Sequence, residues 1–247
     1  MRIIQICGKG RVGKTTLAQL IAKYSFDLGY NPVLLPFADG IKKAAELEGL
    51  SKDKDSKKYR QFCQKLGESK RKDDQDYWVV KSFETIQEYM IKEIDNKKAN
   101  KKHYEYIIIQ DDTRYMNEIT FGRDLAATQI FVSQGLRELP EHKADWRTHE
   151  SEVLSNNVED SLDSENSNYT DLFDFIVIND DSLSELETIV KQSITTWLDA
   201  GYLIAPPFAI FEIGRLGRFD LNDTKSLPIS SDDLFIKISF NIFAMKS

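Results

Sequence analysis

Cysteine is almost missing from this chain. Cys7 and Cys63 are the only two in 247 residues, too few to staple a secreted scaffold, so the sequence reads as a cytosolic one. Histidine is nearly as scarce: there are three, none at zinc-ligand spacing, and a zinc centre is not expected. A surplus of positive charge is lacking too, since 40 acidic residues outnumber 33 basic ones and the net charge is −7. A broad cationic face for duplex nucleic acid is therefore not expected, and any anionic ligand must be held by a local concentration of donors. No apolar run is long enough for a membrane span, and the first of them, Ile3 to Cys7, stops at Gly8. Neither a signal peptide nor a membrane segment is expected. Internal repeats and coiled-coil heptads are absent as well.

What is there is ordinary globular material. Hydrophobic residues make up 41% and charged residues 30%, and the length fits one α/β domain with insertions. The first forty residues read as strand, turn, helix, strand: Ile3 to Cys7, a glycine-rich turn, an amphipathic stretch with Leu17, Leu20, Ile21, Tyr24 and Leu28 at helical spacing, a stop at Gly29, then Val33-Leu34-Leu35. Three further apolar runs follow at Tyr106 to Ile109, Gln129 to Val132 and Phe175 to Ile178, all without the polar alternation of half-solvated strands. Both faces of such strands should be covered by helices. Helix formers fill the connections at Ile41 to Glu48, Lys57 to Lys65, Trp78 to Ile94, Met116 to Ala126 and Leu183 to Leu198. The economical fold is a parallel five-stranded sheet with helices on both faces.

Two regions depart from that pattern. Asn156 to Asp171 is rich in Ser, Asn, Asp and Glu, and is expected to be a mobile acidic loop. Beyond Pro206-Pro207, Ile236, Ile238, Phe240 and Ile242 alternate with Lys237, Ser239 and Asn241 in strand period. The segment 201–247 is therefore expected to be a β appendage that extends the sheet or pairs between subunits, the latter making a homodimer.

Gly8-Lys9-Gly10-Arg11-Val12-Gly13-Lys14-Thr15 fits G-x-x-x-x-G-K-[ST], between a strand and an amphipathic helix as the mechanism requires. The glycines let the backbone fold round a phosphate, so that successive N–H groups and the helix N-terminus face its oxygens. Lys14 adds a positive charge and Thr15 a hydroxyl ligand for Mg²⁺. Binding of a nucleoside triphosphate is the strongest inference available from the residues themselves. A GTPase would need N-K-x-D after a late strand, and Asn179-Asp180-Asp181 lacks it. Helicases and motors would need a catalytic Glu after the second motif strand, where this chain has Gln110-Asp111-Asp112-Thr113-Arg114. A carboxylate at that strand end can orient Mg²⁺ or its water, and Arg114 suits a second phosphate group.

The P-loop, Phe37-Ala38-Asp39-Gly40-Ile41-Lys42, Leu66-Gly67 followed by Asp76-Tyr77-Trp78-Val79, Asp112-Thr113-Arg114, Thr148-His149-Glu150-Ser151-Glu152 and Ile178-Asn179-Asp180 occur in this order. Together they resemble the deoxynucleoside monophosphate kinases of tailed bacteriophages, within the nucleoside monophosphate kinase-like P-loop fold, over about Met1 to Leu198. The resemblance implies a kinase domain over 1–200 that transfers the γ-phosphoryl of ATP to a deoxynucleoside 5′-monophosphate (dNMP) with Mg²⁺, in the cytoplasm of an infected bacterium. It implies ATP contacts from Gly8, Gly10, Arg11, Val12, Gly13, Lys14, Thr15, Thr16 and Asn179. It also implies a monophosphate pocket drawn from Asp39, Lys42, Arg60, Gly67, Trp78, Asp112, Arg114, Asn117, Glu118, His149 and Glu152. In that pocket Lys42, Arg60 and Arg114 would clamp the phosphate, Trp78 would offer an aromatic face to the base, and Asp112 and Glu118 would accept ring or sugar hydrogens. The segment 133–152 resembles the lid, whose Arg137 and Arg147 would join Lys14 in neutralising the moving phosphoryl group. The chain departs from the pattern at Gly40, where the family commonly has Pro, and at Thr15, where it often has Asp. A different small acceptor, such as a nucleoside or dephospho-coenzyme A, and a slow nucleotide-dependent protein-binding switch remain the rival readings.

Overall fold

The computed structural model describes residues 1–51, 53–133, 150–162, 169–179 and 182–200. The elements follow the order β1 (Arg2–Cys7), α1 (Lys14–Asp27), β2 (Asn31–Leu34), α2 (Asp39–Leu47), α3 (Ser56–Asp73), α4 (Tyr77–Lys98), β3 (Tyr106–Thr113), α5 (Met116–Asp124), β4 (Thr128–Ser133), α6 (Val153–Leu162), β5 (Phe175–Ile178) and α7 (Leu183–Ala200). The five strands form one sheet in the order β2-β3-β1-β4-β5, every neighbouring pair parallel. This is the α/β fold expected from the apolar runs, with helices on both faces. The lid segment and the β appendage of that expectation fall mostly or wholly outside the described residues.

Alternation along the central strands decides the two layers. Ile4 and Ile6 of β1, Ile107 and Ile109 of β3, and Ile130 and Val132 of β4 face one way and pack with Leu17, Ile21, Leu186, Val190, Ile194 and Trp197 of α1 and α7. Cys7 of β1 and Phe131 of β4 face the other way, against Ile119 of α5, Leu154 and Val158 of α6, and Phe173. Coverage is incomplete at the sheet's edges, contrary to the expectation that every strand is buried on both sides: Leu34 in β2 and Ile176 and Ile178 in β5 are exposed. An edge strand has one neighbour and fewer helices above it, so an apolar run there need not be doubly buried.

The second face hides a polar feature within strands that read as apolar. Gln5, Gln110 and Gln129 stand in register on β1, β3 and β4 and are fully buried. Gln5 Nε2 donates to Gln110 Oε1 at 2.8 Å and to the Glu118 carbonyl at 3.1 Å, Gln129 Nε2 donates to Gln5 Oε1 at 2.7 Å, and Gln110 Nε2 donates to Ser82 Oγ at 2.7 Å. A buried amide is costly without such partners, and Gln129 Oε1 is the one side-chain oxygen of the ladder left without one. Gly122 of α5 lies directly over the ladder, where a Cβ would be 2.0 Å from Gln5 Oε1.

The acidic segment needs correction. Residues 153–162 form α6 rather than a loop, because Leu154, Val158 and Leu162 recur every fourth residue and bury one stripe against Phe131, Ile119 and Phe173. Thr170–Leu172 form a single 3₁₀ turn. Among the described residues no helix is long and apolar enough to cross a membrane.

Candidate functional site

Parallel strands bring their C-terminal ends to one side of the sheet, and the segments leaving β1, β2, β3 and β5 meet there. The P-loop leaves β1 at Gly8, whose φ is +145° and where a Cβ would lie 2.4 Å from the Val132 carbonyl oxygen. Arg11 takes a left-handed conformation, φ 71°, and is exposed. Gly13, φ +101°, caps α1, and a Cβ there would meet Asn179 Nδ2 at 2.4 Å. No other residue could hold either glycine's conformation in that space. Thr15 and Thr16 fall in the first turn of α1, whose N–H groups have no intrahelical acceptor and face outward from the helix end. The result is a cradle of amides for an anion.

Lys14 is not the solvated loop charge that a flexible P-loop lysine would be. It is 7% exposed and folded onto the loop, with Nζ donating to the Gly8 and Lys9 carbonyls at 2.6 Å each. Burial, helped by the nearby Arg114 cation, pulls its pKa down to about 8. Thr15 Oγ1 donates to Asp111 Oδ2 at 2.7 Å, which brings the α1 hydroxyl beside a carboxylate at the end of β3. Both atoms are oxygens of the hard, anionic or neutral type that Mg²⁺ prefers, and the pair is exposed enough to leave the ion its waters. Among the described residues no group of three or more His, Cys, Asp or Glu forms a protein-only metal site.

Asn179 follows β5 and donates from Nδ2 to the Val12 carbonyl at 2.8 Å, while its own N–H donates to the Ser133 carbonyl. It braces the P-loop against β4 in this structure.

A second cluster lies over the ends of β2 and β3. Asp112 accepts from Phe37 N at 2.7 Å and Ala38 N at 3.1 Å, with Lys42 Nζ 4.0 Å away. Burial raises its pKa, opposed by Lys42 and the Ala38 N–H. Glu118 accepts from Arg114 N at 2.7 Å and Tyr115 N at 3.2 Å through Oε2, and its Oε1 is 3.5 Å from Arg71 Nη2. Burial, then the Asp112 carboxylate, pushes Glu118 from 4.5 up to about 7. Each carboxylate fixes a backbone turn, Asp112 that of Phe37 and Ala38 and Glu118 that of Arg114 and Tyr115, and each keeps lone pairs for a further donor. Trp78 lies nearby on α4. It is 6% exposed, donates from Nε1 to the Gly67 carbonyl at 3.3 Å, and covers Gly40, where a Cβ would be 3.1 Å from its ring. Its indole is packed among α2, α3 and α4 in this structure.

The other expected residues scatter. Asn117 Nδ2 donates to Gln75 O and Asp76 Oδ1, tying α5 to the turn before α4. Asp39 pairs with Lys43 one turn on, and Arg60 is exposed on α3. Glu152 is brought fully into the site: it is 3% exposed, accepts from Gly10 N at 3.0 Å, and pairs with Arg114. Arg114 also reaches Ser151 Oγ at 3.4 Å. Arg137, Arg147 and His149 lie outside the described residues.

Two residues of this region were not singled out from the sequence. Asp111 is next to the chosen Asp112, but adjacent strand residues point to opposite sides, so only the first meets Thr15. Arg71 stacks on Tyr115, 3.9 Å from the ring centroid, and sits four residues after Gly67 on the same face of α3. Its place in the run Lys70-Arg71-Lys72 reads as a solvated charge patch, and only the i, i+4 relation to Gly67 distinguishes it.

No family model and no curated protein matches the chain. Among solved structures it is similar to shikimate kinase from Aquifex aeolicus vf5, at 16% identity and a TM-score of 0.41, over 78% of this chain and 96% of that one.

Proposed function

We propose that this chain is an ATP-dependent phosphotransferase that passes the γ-phosphoryl group to the 5′-phosphate of a deoxynucleoside monophosphate. The observation that carries the reading is the juxtaposition of a P-loop cradle, with Lys14 and Thr15 on it and Asp111 of β3 beside it, and a second cationic cluster of Arg114, Lys42 and Arg71 on neighbouring elements. One anion site would suffice for a hydrolase. Two sites, each with its own cations, suit a donor and an acceptor that both carry phosphate.

The acceptor's phosphate oxygen is already an anionic nucleophile at neutral pH, so the protein has positioning and charge neutralisation to supply. The amides of the P-loop and the α1 N-terminus would hold the β-phosphate. Lys14 would leave the Gly8 and Lys9 carbonyls for the β/γ oxygens. Mg²⁺, with Thr15 as ligand and Asp111 orienting its water, would neutralise β/γ charge. Arg114, held in place by the backbone turn that Glu118 caps, would clamp the acceptor phosphate, with Arg71 beside it. As the γ-phosphorus to bridging-oxygen bond breaks, a bond forms to the acceptor oxygen, and ADP and a deoxynucleoside diphosphate leave. Arg137 and Arg147 are proposed to close over the transferring group.

A coupled assay for ADP release with Mg·ATP tests the substrate class. Turnover with one or more dNMPs, exceeding that with nucleosides or dephospho-coenzyme A, is expected. Preference for either of the latter would replace the acceptor while leaving the donor site as described.

A further inference from the structure

One carboxylate touches both phosphate sites. Glu152, in the 3₁₀ turn just before α6, accepts the Gly10 N–H of the P-loop through Oε2 and pairs with the Arg114 guanidinium through Oε1. Gly10 belongs to the donor cradle and Arg114 to the acceptor cluster, in the segments that leave β1 and β3 respectively. The side chain is almost completely buried, so its charge is stabilised by these two partners and by little solvent. A carboxylate presents two anionic oxygens at the spacing of two phosphate oxygens, and both of its partners are groups a phosphate would need.

We propose that Glu152 is an internal phosphate mimic that latches the two empty sites to each other, so that a phosphate arriving at either one displaces the carboxylate and frees the other. The inference rests on the P-loop being a phosphate site, but not on which acceptor is used. The latch has two consequences. Each ligand binds the resting protein against an internal competitor, which lowers its affinity when alone. Once the first ligand has moved Glu152, the second meets no competitor, and the two bindings assist each other by the same factor in either order. The resting chain would thus hold ATP weakly until the acceptor is present, which disfavours wasteful hydrolysis. Glu152 acts here as a positioning residue, through Gly10 and Arg114.

Isothermal titration of the full chain with inorganic tripolyphosphate, a probe of the P-loop that needs no acceptor, tests the latch. Glu152→Gln and Glu152→Ala should bind tripolyphosphate on the order of tenfold tighter than the wild type, because a charge-assisted contact no longer competes. A merely structural role for Glu152 predicts the opposite sign. Unchanged or weaker binding by variants with native circular dichroism overturns the proposal. A measurement on the wild type alone guards against misfolded variants: tripolyphosphate should shift the NMR resonances of both the Gly10 amide and the Arg114 side chain, and an unmoved Arg114 signal would refute the coupling. If neither the wild type nor the Glu152 variants bind tripolyphosphate, the P-loop reading itself fails and the latch falls with it.

Discussion

Lys14 begins its work already bonded, with two loop carbonyls as acceptors. Lys14→Ala should therefore have two effects. Turnover falls by about 10²-fold or more, as when a donor to developing charge is lost, and stability falls by about 1–3 kcal/mol because buried carbonyls lose their donor. Steady-state assay and urea unfolding read the two separately, and near-normal turnover in a folded variant would remove Lys14 from the chemistry. Arg114→Ala should weaken dNMP binding roughly 10- to 150-fold while affecting an unreactive ATP analogue much less, since a charge-assisted contact contributes about 1.5–3 kcal/mol. Equal losses for both ligands, measured by titration calorimetry, would place Arg114 elsewhere. Glu118 provides a pH test. Its native pKa lies near 7, above the ordinary 4.5, so the folded state binds its proton more tightly. The associated stability is fully present below about pH 4.5 and is lost as pH rises through 7. Glu118→Gln should gain on the wild type in urea midpoint between pH 5 and pH 8, and a constant difference across that range would contradict the buried, raised carboxylate.

At the scale of elements, the central strands were legible because long apolar runs are difficult to read any other way, and α1 because its apolar period is regular. The helix ends were less so: α3 runs to Asp73 and α4 to Lys98, well past their last apolar residues, because polar helix formers continue a helix with no apolar stripe to mark it. α6 was missed for the complementary reason. Its four apolar residues are outnumbered by polar ones, yet the spacing of four among Leu154, Val158 and Leu162 suffices once Phe131 and Phe173 are there to receive them. The glutamine ladder was invisible, since it depends on the register of three strands far apart in sequence. It makes its own prediction. Gly122→Ala would force a methyl group against the Gln5 amide and should cost about 1–3 kcal/mol, read as a lower urea midpoint; an unchanged midpoint would mean that α5 is free to shift away from the sheet.

For the whole molecule, the sheet order explains which parts of the site could be read in advance. Motif spacing identifies the P-loop, because its chemistry is local to one strand, turn and helix. It also marked the Asp112-Thr113-Arg114 turn and Glu152, but not their connections, since the Gly10–Glu152–Arg114 contact spans 142 residues. Asp112, Glu118 and Trp78 each hold neighbouring backbone in place, a connection that only burial and hydrogen-bond partners reveal. The P-loop and the Arg114 cluster come together because β3 inserts between β2 and β1 and all strands run the same way. The proposal that these clusters exchange a phosphoryl group is tested most directly by following the label from γ-³²P-ATP with the full chain, Mg²⁺ and each dNMP in turn. The expected result is label in a deoxynucleoside diphosphate, matched one for one by ADP and abolished in Lys14→Ala. Label appearing only as inorganic phosphate, or remaining in ATP with every dNMP although the folded protein binds ATP, would contradict it.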